Sequence, residues 1–221
     1  MSKVPFGILI LHGFADNTDA VSKVEQPLRL LHIPIRMPLL RGHGADSPEA
    51  LRGVTWHDWT ADGETALQSL SQEVDKIIII GHSLGSLVAI HLSAEHPNSI
   101  DSTILAAAPI IWKSPMAPNR PLHFLVPLIV RLFKKLNLPP AYTDTELAKQ
   151  QNSYLWAPPD AIASVLEFSV AARKHLPQIK TPMLILQSRK DSSVATTSAE
   201  IIYKSIATPA DKKKIIWFYK T

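Results

Sequence analysis

The sequence predicts an α/β fold, a mostly parallel sheet of about six strands with helices on both faces. Three observations predict it. Short continuous apolar runs such as FGILIL at 6–11 and IIII at 77–80 have the length and texture of strands buried on both faces. Amphipathic or capped helical segments alternate with them, which calls for right-handed crossovers between parallel strands. Finally, 221 residues with 46% hydrophobic content can bury the core of one such domain carrying an insertion.

Taken in order, residues 6–11 form the first strand and end at His12-Gly13. Residues 33–37 offer a second, and Pro34 confines it to an edge. Trp56, Trp59, Leu67, Leu70 and Val74 fall at helical spacing after Thr55, with Asp58 three residues on, a capping signal. A strand at 76–80 follows, then a helix from 84 to 95 that His96-Pro97 stops. Residues 100–107, 182–187 and 214–219 are three further strands, and a helix over 195–206 lies between the last two. Between 109 and 177 the texture changes. Prolines cluster at 115, 118, 121, 127, 139, 140, 158 and 159 around apolar segments. The expected division is therefore a core of 1–109 and 177–221, interrupted by an insertion at 110–176 that sits over the carboxyl ends of the strands.

Composition narrows the class. The excess of 23 Lys+Arg over 19 Asp+Glu, +4 with His neutral, is too mild for a nucleic-acid partner, and the lysine run at 212–214 reads as a solvated lead into a strand. With no cysteine, disulfides and thiolate metal sites are excluded. The amino-terminal ten residues read as core strand and not as a cleaved signal. No apolar run reaches the roughly 18 residues of a membrane span. Stable membrane insertion is not expected, a cytoplasmic location is, and oligomeric state is not legible.

The chemistry sits in GHSLG at 81–85. A strand before it and a helix after it make this G-x-S-x-G a sharp turn that presents Ser83 as a nucleophile above the sheet, its glycines allowing close packing. Attack on an acyl carbon places negative charge on oxygen, so backbone N–H groups must await it. Leu84, at the helix start, and Phe14, in the loop after the first strand, are the candidate donors. Asp191, after the strand at 182–187, is the candidate acid; its alternative role is a loop aspartate accepting local hydrogen bonds.

HGF at 12–14, RGHG at 41–44, TWHDW at 55–59, GHSLG at 81–85 and SRKDSSV at 188–194, in this order, resemble the bacterial carboxylesterase and monoglyceride-lipase branch of the α/β-hydrolase superfamily. The resemblance implies an α/β-hydrolase fold with a helical lid at 110–176 over an acyl pocket. It matches Ser83 to the nucleophile, Asp191 to the acid, and Phe14 and Leu84 to the oxyanion donors. It implies a small acyl ester as substrate and neither metal nor cofactor, and nothing in the sequence spacing of His and carboxylates points to a metal site. Phe124, Leu125, Leu128 and Ile129 would cradle the acyl tail, or equally are ordinary helix packing.

Two departures stand out. Relatives carry strands ahead of HGF, and they place a catalytic histidine after their last strand. Here no histidine follows Asp191. The expectation is a chain shortened before its base, with weak or absent turnover, for which His123 could substitute. The alternative is a noncatalytic member of the fold that binds acyl ligands or another protein. Peptidase and lactonase chemistry stay open behind these, whereas a dehalogenase would want aspartate at position 83.

Overall fold

Strand β1 (Val4–Leu11) lies second from the edge of a fully parallel sheet whose remaining strands are β2 (Ile35–Arg36), β3 (Val74–His82), β4 (Ile100–Ala106), β7 (Met183–Ser188) and β8 (Lys213–Phe218), in the order β2-β1-β3-β4-β7-β8. The computed structural model describes residues 3–138 and 153–219. Strand order turns back between β1 and β3, because the chain runs outward from β1 to β2 and then returns to β1's other side. The loops after β1 and β3 are therefore neighbours at the carboxyl end of the sheet, the position where open α/β sheets bind ligands.

Alternation decides which face each side chain serves. In β1, Leu9 and Leu11 enter the main core while Ile8 and Ile10 join a smaller cluster on the opposite face with Val21. The isoleucine run of β3 divides the same way: Ile77 and Ile79 are in the main core, and Ile78 and Ile80 pack on the small one. Helix α1 (Asp19–Leu28) supplies Val21 to that second face. Helices α2 (Trp56–Ser71), α3 (Leu84–Glu95) and α5 (Pro159–His175) pack on the main one, while α6 (Thr197–Ser205) bridges β7 and β8.

Strand β2 is shorter than residues 33–37 would allow. Pro34 has no N–H for the ladder and contributes only its carbonyl, which accepts from Ile8 N–H at 2.9 Å. Helix α1 was not legible, since only Val21 among its apolar residues is buried. The region 110–176 holds helix α4 (Val126–Leu132), a two-stranded antiparallel ribbon of β5 (Leu136–Asn137) and β6 (Trp156–Ala157), and α5, whose Pro159 occupies the first turn where its missing N–H costs nothing. Residues 139–152 of this region, Pro139 and Pro140 among them, lie outside the described residues.

Helix α2 starts as the sequence indicates. The Thr55 N–H and hydroxyl both donate to Asp58 Oδ2, at 2.9 and 3.0 Å, and Asp58 Oδ1 meets Arg41 Nη1 at 2.5 Å. These hydrogen bonds from Thr55, foremost its backbone N–H, and the Arg41 charge hold the Asp58 carboxyl below its usual pKa. Asp58→Ala removes the cap and is expected to cost about 1 kcal/mol, a fall in Tm of roughly 2–4 °C for a domain this size, measured by thermal denaturation.

Candidate active site

At the end of β3 the chain reverses into α3 within one residue. Ser83 carries that reversal with φ 50° and ψ −114°, a left-handed conformation that costs a non-glycine residue about 1–3 kcal/mol and is held only by its surroundings. Its N–H donates to Ala106 O at 2.9 Å, and the buried Ser86 hydroxyl donates to Gly81 O at 2.8 Å. A Cβ on Gly85 would stand 2.2 Å from Leu11 O, and one on Gly81 would stand 2.5 Å from Gly85 O. Both neighbours are backbone, so neither position accepts a side chain.

The Gly85 N–H donates to His12 O at 3.0 Å, tying the start of α3 to the loop after β1. That loop carries Phe14. The N–H groups of Phe14 and Leu84 have no hydrogen-bond partner among the described residues. His12 is buried and fixed as a single tautomer: its Nε2 accepts from Leu40 N–H at 3.0 Å, so its Nδ1 donates to Gly13 O at 2.8 Å. His43 Nδ1 in turn donates to Leu40 O at 3.0 Å. Leu40 is thus clamped through its N–H and its carbonyl by two imidazoles that meet edge to face at 4.9 Å. Phe14 and Trp59 complete this cluster against His43, and Trp59 Nε1 donates to Arg41 O at 3.0 Å. Three sequence motifs, HGF, RGHG and TWHDW, are therefore one packed unit behind the loop.

Asp191 lies in the loop after β7. Its Oδ1 accepts from the N–H groups of Ser193 and Val194 at 2.9 and 2.8 Å, and its Oδ2 accepts from Gln187 Nε2 at 3.1 Å. Local hydrogen bonding and orientation of this carboxylate coincide. His82 packs its ring on Gly13, its Nδ1 3.1 Å from where a Cβ would be. Burial holds His82 below its ordinary pKa, opposed in part by the charges of Asp16 and Asp191. His123 turns into its own loop, with Nδ1 donating to Met116 O at 3.0 Å.

A cavity of about 500 Å³ adjoins these loops, a size typical of small-molecule pockets. Phe14 lines it on one side and Ser192 and Ser193 beside Asp191 on another, with Trp112 to Ser114, Met116, Leu136 to Leu138 and apolar residues of α4 and α5 around them; Ser83 is not among its lining residues. Of the four acyl-tail residues expected from sequence, Ile129 lines the cavity. Phe124, Leu125 and Leu128 do not, and Phe124 and Leu128 are 72% and 52% exposed. Helical spacing is the reason: Val126, Ile129 and Val130 share the inward face of α4, which turns Leu128 to solvent.

Comparison with known proteins adds the following. The family described as serine aminopeptidase S33 matches residues 5–219. The chain is 24% identical over 210 residues to a thermostable monoacylglycerol lipase of Bacillus sp. (strain H-257), covering 92% of this chain and 78% of that one. It is 26% identical over 214 residues to a carboxylesterase of Bacillus subtilis (strain 168), covering 96% and 81%. A solved structure reported for LipS and LipT, two metagenome-derived lipolytic enzymes, superposes with a TM-score of 0.84 at 23% identity, covering 99% of this chain and 86% of that one, a likeness of fold.

The buried clamp has a pH consequence. Burial, with neighbouring His12 as the next cause, pushes the His43 pKa down to about 3, against about 6.5 in an unfolded chain. The unfolded state takes up a proton that folded His43 refuses. Its contribution to stability is full above about pH 6.5 and is lost as pH falls toward 3. Urea unfolding between about pH 6.5 and 4 is expected to show stability falling by about 1.4 kcal/mol per pH unit for this group. His43→Phe should make the slope shallower, and an unchanged slope would refute the assignment.

Proposed function

The chain belongs to the family described as serine aminopeptidase S33, and from that premise we propose a serine carboxylic-ester hydrolase of the esterase and monoacylglycerol-lipase kind. The single observation that supports it most is the backbone of Ser83, strained at φ 50° between two glycines that admit no side chain. In the proposed reaction Ser83 Oγ bonds to the acyl carbon and gives its proton to a base, a part that no histidine takes by a hydrogen bond to Ser83 among the described residues. The N–H groups of Phe14 and Leu84 stabilise the oxyanion, the C–O bond to the alcohol breaks, and the alcohol leaves with a proton. Water then hydrolyses the acyl-enzyme. Asp191 is the proposed acid that orients the base, and the chemistry requires no metal or cofactor. The region 110–176 acts as a lid in this reading, with Ile129 and its inward neighbours on α4 receiving the acyl tail.

The named relatives, a monoacylglycerol lipase and a carboxylesterase, favour esters over the peptides in the family description. A second reading, an acyl-binding member of the fold without turnover, is favoured by one observation: Ser83 is not among the residues lining the cavity.

A fluorophosphonate probe and p-nitrophenyl esters of graded chain length, run beside aminoacyl p-nitroanilides, separate these readings. Turnover by these 221 residues is expected to be weak and to favour the esters, and both it and the labelling to vanish in Ser83→Ala, which keeps its Tm. Equal labelling of both proteins would remove the nucleophile assignment, and preference for the anilides would remove the ester class. Ile129→Trp narrows the cavity and is expected to shift preference among the esters by roughly tenfold or more toward shorter acyl chains, since each buried CH₂ is worth about 0.8 kcal/mol. The ratio of kcat/KM values across the ester series reads that shift.

A further inference from the structure

The far end of α3 carries a second constellation. His91 and Glu95 stand four residues apart on one face of that helix. His175, the last residue of α5, meets them: the two imidazole rings pack edge to face at 5.1 Å, and His175 Nδ1 lies 3.5 Å from Glu95 Oε1. One donor atom from each of the three residues falls within 4.8 Å of the other two.

Two features go unexplained by packing. The Nδ1 atoms of His91 and His175 are both buried without a hydrogen-bond partner among the described residues, a costly arrangement for polar atoms. And 3.5 Å is too long for an N–H···O bond, yet two ligand bonds of about 2.1 Å meeting at a tetrahedral angle set their donor atoms roughly 3.4 Å apart. The surroundings match as well. His91 Nε2 is 3.9 Å from Glu64 Oε1 on α2, and Glu64 Oε2 accepts from His96 Nε2 at 2.7 Å. At 3.9 Å Glu64 places negative charge behind His91 without a hydrogen bond to it.

We propose that His91, Glu95 and His175 bind one divalent transition-metal ion of the zinc class, which staples α3 to α5. Two imidazole nitrogens and one carboxylate suit zinc, cobalt or nickel; calcium and magnesium take oxygen ligands. Arg173 and Lys174, in the same last turn of α5, are exposed, and Glu64 and Glu95 supply the opposing charge. The ion would lie roughly 10–16 Å along α3 from Leu84, at about 1.5 Å per residue, so its work is to hold the two helices together and not to act on an ester. The spacing of the sequence gave no sign of it, because His175 is about 80 residues from Glu95 and reaches it only through the packing of α5 on α3.

The test uses the full chain, stripped with a chelator that is then removed, and titrated with zinc by calorimetry and thermal denaturation, with cobalt as a spectroscopic probe. Binding of one ion per chain is expected. It should raise Tm by roughly 5–10 °C at about 100-fold over Kd, and cobalt should develop visible absorption of a low-symmetry site. Glu95→Gln alters an exposed ligand and leaves packing intact; it and His175→Gln are expected to weaken binding by at least tenfold. His57→Gln, on the exposed face of α2, should change nothing. No saturable rise in Tm at micromolar zinc, or binding indifferent to both Glu95→Gln and His175→Gln, would overturn the site.

Discussion

The contact on which the rest depends is backbone against backbone. The first turn of α3 approaches the end of β1 so closely that Gly85 N–H bonds to His12 O at 3.0 Å, and even a methyl group at position 85 would collide with Leu11 O. That approach lets β3 turn into α3 at a single residue, and the single residue is Ser83. Its strain is of the order of 1–3 kcal/mol. The hydrogen bonds of Ser83 N–H and Ser86 Oγ to Ala106 O on β4, with that of Ser86 Oγ to Gly81 O on β3, offset it. Relaxing the contact would free the backbone at 83 and move the start of α3 away from the Phe14 loop.

Histidine serves this architecture largely as hydrogen-bonding hardware. His12 and His43 grip the two backbone groups of Leu40, and burial keeps both rings below their ordinary pKa. Neutral rings are needed here, since a protonated His12 could not accept from Leu40 N–H. The grip holds the loop after β2 against the loop after β1. Tyr154 extends it from the other direction, with its N–H donating to Ala15 O at 2.7 Å and its hydroxyl accepting from Ala45 N–H at 2.8 Å. Burial in this setting raises the Tyr154 pKa, so the phenol stays protonated and donates onward to carbonyls of the same loop.

What the sequence disclosed and what it hid follow from the range of the interactions. The strand at 76–80, the helix from 84 to 95 and the cap of Thr55 with Asp58 are set by neighbours a few residues away, and all three are found at or within two residues of where the pattern puts them. The tight turn at Ser83 is legible for the same reason, because Gly81 and Gly85 are local requirements. Features built from distant partners were hidden. The Leu40 clamp joins residues 28 positions apart, and no periodicity marks it. In α4 the apolar content is nearly continuous, so hydrophobicity alone could not say whether Leu128 or Val130 faces inward; only the docking of α4 against α5 decides.

The stretch 110–176 is continuous in sequence but divided in packing. Ala161, Val165, Phe168 and Ala172 of α5 belong to the same buried cluster as Leu87 and Val88 of α3, and Phe168 stacks on Trp56 at the start of α2. Helix α5 is therefore as much a part of the core as the helix that carries the Ser83 turn. Helix α4 differs, with no residue fully buried and Leu132 65% exposed at its end. The α5 side of the cavity is thus fixed by burial and the α4 side only by modest contact. Free energy needed to displace α4 scales with the apolar area it covers, so any widening of the cavity falls to α4 before it falls to α5.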